Sequence, residues 1–128
     1  MHAARASAVA VTGLRIAYGA ALIATPERLT RRWLGDTAER AGGRVALRAL
    51  GAREVLLHSG ALRASLQEGA ALPWLAASFG GDLADIASTV AGRDGLPDGS
   101  ARATAGVAGA SALITAVVAA ALARSGDG

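Results

Sequence analysis

Six ionisable side chains stand inside apolar runs in the middle of this chain, and their types and spacing define the chemistry open to it. Residues 44–67 read RVALRALGAREVLLHSGALRASLQ and residues 70–92 read AALPWLAASFGGDLADIASTVAG, so Arg48, Arg53, Glu54, His58, Asp82 and Asp85 all interrupt hydrophobic sequence. Glu54 and His58 are four residues apart and Asp82 and Asp85 three apart, separations that bring side chains to one face of a helix. Carboxyl groups held beside guanidinium groups where water is scarce can divide the work of acid–base catalysis, one donating a proton and another accepting it. Asp82 and Asp85 are the first candidates for acid and base, with Glu54 and His58 as alternates. Arg15, Arg48 and Arg53 would hold the carboxylates, and Tyr18, Trp74 and Ser78 would line the same space. Such a site suits a lipophilic molecule, for example an isoprenoid or polyketide intermediate undergoing cyclisation, isomerisation or epoxide opening. The same charges fit a second role, a layer that fixes helix register in a non-catalytic accessory or assembly subunit.

Other chemistries find less support. With no Cys, thiolate metal sites and Cys nucleophiles are excluded. A metal held by Glu54, His58, Asp82 and Asp85 would be repelled by the neighbouring arginines, and the Glu-x-x-His spacing of di-iron bundles is missing. No P-loop, dinucleotide fingerprint, HExxH or nucleophile elbow occurs, and no cofactor is implied. The isoelectric point near 11.0 comes from thirteen basic residues, all arginine. They are scattered rather than gathered with aromatics on one face, so nucleic acid is not an expected partner.

The elements that must position these residues follow from composition. In 128 residues, 52% hydrophobic but only 3% aromatic, the apolar mass is Ala, Leu and Val, which favours a single all-α domain. Residues 6–26 are interrupted only by Arg15, and residues 103–123 carry no charge, so each stretch can cross about 30 Å of hydrocarbon. The expectation is a four-helix transmembrane bundle in the cell membrane, with helices near 6–25, 44–67, 70–92 and 101–124. A cleaved signal peptide at the N-terminus and a soluble Ala-rich bundle are the competing readings. Arginine placement puts both termini outside and the first and third connections in the cytoplasm.

Between the first two spans, TPERLTRRWLGDTAER predicts a short interfacial helix, capped by Thr25, begun by Pro26 and marked at the membrane surface by Trp33. Asp36 and Glu39 resemble a capping box for the next helix. In the 70–92 stretch, Trp74, Ser78, Asp82, Asp85 and Thr89 recur at steps of four, four, three and four, which draws one polar stripe. If each span is centred on its apolar stretch, Arg15, Arg53, Glu54 and Asp82 fall near the midplane. Arg48 is expected beside Glu54, Arg53 is expected to point toward another neighbour, and Ser111 and Thr115 face inward from the last span. Small residues four apart, Ala105 with Gly109 and Gly106 with Ala110, predict close backbone packing within the chain or in a homodimer.

With these residues placed, RALGARE at 48–54, Gly60, and PWLAAS with DLAD across 73–85 resemble small membrane proteins frequent in actinobacteria that are grouped only as a domain of unknown function. The resemblance covers most of the chain and implies a four-span fold with no established activity. His58 stands where such proteins often have a second Gly.

Overall fold

The computed structural model describes residues 3–67 and 70–126; Glu68 and Gly69, expected to end the second span, lie outside them. Among the described residues every regular element is helical. The elements are α1 (Ala3–Ala24), α2 (Pro26–Leu34), α3 (Ala41–Leu66), α4 (Leu72–Ala91) and α5 (Ser100–Ser125), with 3-10 turns at Gly35–Glu39 and Arg93–Gly95. The expected helices therefore all exist, with α3 starting three residues earlier than residue 44.

Two local expectations are corrected. Thr25 precedes α2 but does not cap it; its hydroxyl instead donates back to the Ala21 carbonyl at 3.3 Å, closing α1. Pro26, with no N–H to satisfy, starts α2 unaided. Asp36 and Glu39 form no capping box, because Gly35–Glu39 coils as a 3-10 turn and α3 begins only at Ala41. Gly35 takes a left-handed φ of 55°, which allows the chain to turn sharply off α2.

The long helices pack chiefly as α1 on α3 and α4 on α5, with lighter contacts between α1 and α5 and between α3 and α4. Neighbours run antiparallel. At one end Arg5 of α1 donates to the carbonyl of Ser65 near the end of α3, at 3.0 Å. There Ala8, Ala71, Leu75, Val118 and Leu122 form the apolar cluster. At the other end the Ser100 hydroxyl, opening α5, donates to the Trp33 carbonyl of α2 at 2.5 Å. The closest backbone approach joins α1 to α3: a methyl added at Gly51 would stand 2.6 Å from the Gly19 carbonyl oxygen, and one at Gly19 would stand 2.7 Å from the Gly51 oxygen. By contrast, nothing lies within 4 Å of such a methyl at Gly106 or Gly109. Gly106 and Gly109 therefore do not mediate close packing inside this chain.

Among the described residues twelve polar or charged side chains are buried beside ten hydrophobic ones, while fourteen large hydrophobics are exposed. Leu14, Leu56, Val107 and Leu113, one on each of α1 and α3 and two on α5, expose 73, 73, 71 and 66% of their surface. Scattered exposed leucines are ordinary, but a polar interior beneath them is not. Two helices, α1 and α5, are long and apolar enough to cross a membrane.

Candidate functional site

Each long helix contributes to a single charged layer near its own mid-length. Arg15, Arg53, Glu54, Asp82 and Ser111 all lie within two residues of the midpoints of α1, α3, α4 and α5 respectively, and Asp85 about one turn further along α4. The residues that the apolar stretches centre on their helices thus meet at one level of the folded chain.

Arg15 is the hub. Its Nε donates to Glu54 Oε2 at 2.8 Å, while Nη1 and Nη2 grip Asp82 through Oδ2 at 3.0 Å and Oδ1 at 2.8 Å. Nη1 also reaches the Ser111 hydroxyl. A two-pronged guanidinium–carboxylate pair fixes angle as well as distance, so this one side chain ties α1 to α3, α4 and α5 together. Glu54 and Asp82 are 2 and 3% exposed. Arg53 extends the layer outward: Nη2 donates to Glu54 Oε1 at 3.2 Å and to Asp85 Oδ2 at 3.0 Å, and Nη1 lies 3.5 Å from Asp85 Oδ1. The result is an alternating row, Asp82–Arg15–Glu54–Arg53–Asp85, with acids at both ends and in the middle. It is sealed at Asp82 and half-open at its far end, where the Arg53 and Asp85 side chains are 40 and 31% exposed. The Arg53 Nε is buried without a partner among the described residues.

His58 hangs from the middle of this row and is 1% exposed. Its Nδ1 lies 2.8 Å from the Glu54 carbonyl oxygen, which can only accept, so Nδ1 carries a hydrogen. The same nitrogen is 3.5 Å from Glu54 Oε2. Nε2 lies 2.8 Å from the Ser78 hydroxyl, so a neutral ring accepts from Ser78 and a charged ring donates to it. The series Ser78, His58, Glu54 has the residue types of a nucleophile, base and orienting acid. Ser78, however, is as buried as His58, and the nearest contact orienting the ring is a backbone oxygen.

Of the residues picked from sequence, Arg15, Arg53, Glu54, His58, Ser78, Asp82 and Asp85 meet in one network. Three do not join it. Arg48, expected beside Glu54, is exposed and donates instead to the Ile23 carbonyl at 3.3 Å, because the α1–α3 contact at Gly19 and Gly51 leaves that helix flank facing outward. Tyr18 is 42% exposed on α1 and makes no side-chain hydrogen bond among the described residues. Trp74 lies over Gly60, where an added methyl would be 2.5 Å from the ring. Arg53 is corrected in the other direction: its long stem brings the guanidinium back to α4, although its Cα faces away from the Glu54–His58 stripe. Ser111 joins as expected from α5, and Thr115 is buried one turn on. A cleft of about 350 Å³ lies beside the site, lined by Gly60, Arg63, Ala64, Gln67, Ala70 and Trp74; none of the layer's charges lines it. Among the described residues no group of three or more His, Asp or Glu is arranged to hold a metal ion.

Sequence reasoning missed Arg5, whose guanidinium is buried against the end of α3, and the Gly19–Gly51 contact. Two glycines on neighbouring apolar helices were the available signal for the second.

Comparison with protein-family models, with curated proteins and with solved structures gives no match for this chain.

Proposed function

We propose that the chain is a multi-pass membrane protein in which α1, α3, α4 and α5 cross the bilayer as a four-helix bundle, and that its charged row locks those helices in register as part of a non-catalytic accessory or assembly subunit. The buried polar layer supports the membrane part: Glu54, His58, Ser78 and Asp82 of α3 and α4 turn inward beneath exposed leucines, which is how charged helices become tolerable in hydrocarbon, while Arg48 stays exposed nearer the start of α3. The pairing supports the locking part, because Arg15 spends four of its five N–H donors on α3, α4 and α5. Both termini lie outside in this reading, and the resemblance to small actinobacterial four-span proteins agrees with it.

A second reading is favoured by one specific observation. The row holds three carboxylates against two guanidinium groups, and its Arg53–Asp85 end is open, so acid–base chemistry on a lipophilic molecule would take place there rather than at Asp82. Exchange of Asp85 for Asn and of Asp82 for Asn separates the two. Locking predicts that Asp82→Asn loosens the fold or its assembly while Asp85→Asn does little. Catalysis predicts that Asp85→Asn leaves a folded protein that no longer converts its substrate. Resistance to extraction by alkaline carbonate tests the membrane placement itself; release without detergent would refute it.

A further inference from the structure

The short helix α2 sits outside the long helices, at the end where both of the most apolar ones terminate. One residue, Thr25, separates it from α1, and the Trp33 carbonyl accepts from Ser100 at the start of α5, so α2 is pinned to both. Its inner side is anchored by Pro26 and by Thr30, whose hydroxyl donates to the Pro26 carbonyl at 2.8 Å. Trp33 is half-buried. What α2 turns outward is Arg28, Leu29, Arg31 and Arg32, and Leu29 is 46% exposed. Arg31 is engaged by Glu39 at 3.3 Å. Arg28 and Arg32, one helical turn apart on one flank of Leu29, have no carboxylate partner among the described residues.

We infer that this outer face of α2 is a docking surface for anionic phospholipid, with Arg28 and Arg32 holding headgroup phosphates and Leu29 set among the acyl chains beside them. The inference rests on the membrane reading above. That reading puts the end shared by α1 and α5 at the bilayer surface, and so puts α2 in the headgroup layer. Guanidinium groups match phosphate oxygens through paired N–H donors, and two of them about 6 Å apart along the helix can engage adjacent headgroups. An apolar residue flanked by arginines on a short helix also fits a lipid surface better than an acidic protein, which would have no use for Leu29.

The test uses the full chain reconstituted in phosphatidylcholine vesicles with a trace of spin-labelled phosphatidylglycerol or spin-labelled phosphatidylcholine, reading the fraction of each label immobilised at the protein surface. Each unpaired arginine favours the anionic lipid by up to about fivefold. The wild-type chain is therefore expected to immobilise phosphatidylglycerol several-fold over phosphatidylcholine, and the preference should fall toward unity in Arg28→Gln/Arg32→Gln and in high salt. Arg124→Gln, at the opposite end, should leave it unchanged. Equal immobilisation of the two labels by the wild-type chain, or a preference that survives the double substitution, overturns the inference. Should the double variant fail to fold, the salt titration of the wild-type chain decides, a salt-insensitive preference being the refuting result. Failure of the membrane reading looks different: neither label is immobilised and the protein washes off the vesicles.

Discussion

Replacing Arg15 with Met removes the one side chain that touches the other three long helices, and the cost can be worked from its contacts. Asp82, 3% exposed, has Arg15 as its sole ion-pair partner among the described residues, while Glu54 keeps Arg53 at 3.2 Å. Taking away one member of a buried pair strands the other and costs about 3–5 kcal/mol, and under the membrane reading a lone acid at mid-bilayer costs about 3 kcal/mol by an independent route. The Arg15 side chain is only 13% exposed, so little is lost to solvent screening. We expect Arg15→Met to destabilise the chain by about 3 kcal/mol. Adding Asp82→Asn should restore part of that, because the stranded charge is then gone. A cycle of the two single variants and the double, followed by unfolding in detergent micelles, measures the coupling directly; about 1.5–3 kcal/mol is expected for groups sharing a network. A loss below about 1 kcal/mol for Arg15→Met, or strictly additive singles, would show that the row is not what holds these helices together.

Other outcomes follow from neighbouring features. Arg53→Met should cost only about 1 kcal/mol in the same assay, since its side chain is 40% exposed and Glu54 retains Arg15. Gly51→Ala should lower the melting temperature through a clash worth about 1–3 kcal/mol with the Gly19 carbonyl, reversing the usual gain from alanine in a helix. Gly109→Ala, with open space around it, should leave melting unchanged or raise it slightly. Ser78→Ala should cost about 1–3 kcal/mol by leaving His58 Nε2 buried without a partner, and Ser78→Thr, which keeps the hydroxyl, should recover part of that.

The charge stripe of α4 was readable because helical spacing alone puts Ser78, Asp82 and Thr89 on one side, and all three are buried. The common level of Arg15, Glu54 and Asp82 was readable too, since apolar length centres each helix without knowledge of its neighbours. Pairing was less so. Spacing locates a Cα, whereas an arginine reaches across most of a helix diameter, which is why Arg53 arrived in the layer and Arg48 turned to a backbone carbonyl. The turn before α3 was misread for a related reason: Asp36 and Glu39 have the residue types of a capping box, but Arg40 adopts an extended conformation and moves the helix start beyond their reach. The close contact of α1 with α3 depended on which glycines meet, and nothing local to either helix specifies that.

The asymmetry of the charged row carries a consequence for how the chain is made. α1 leaves the ribosome first, with Arg15 and no acid of its own at that depth. Once α3 follows, Arg15 and Arg53 face Glu54 alone, an intermediate with an excess positive charge; α4 then supplies Asp82 and Asp85 and turns the excess negative. Under the membrane reading no partial product is balanced, so α1 and α3 cannot disperse into lipid independently and must be retained beside the insertion machinery until α4 has been synthesised.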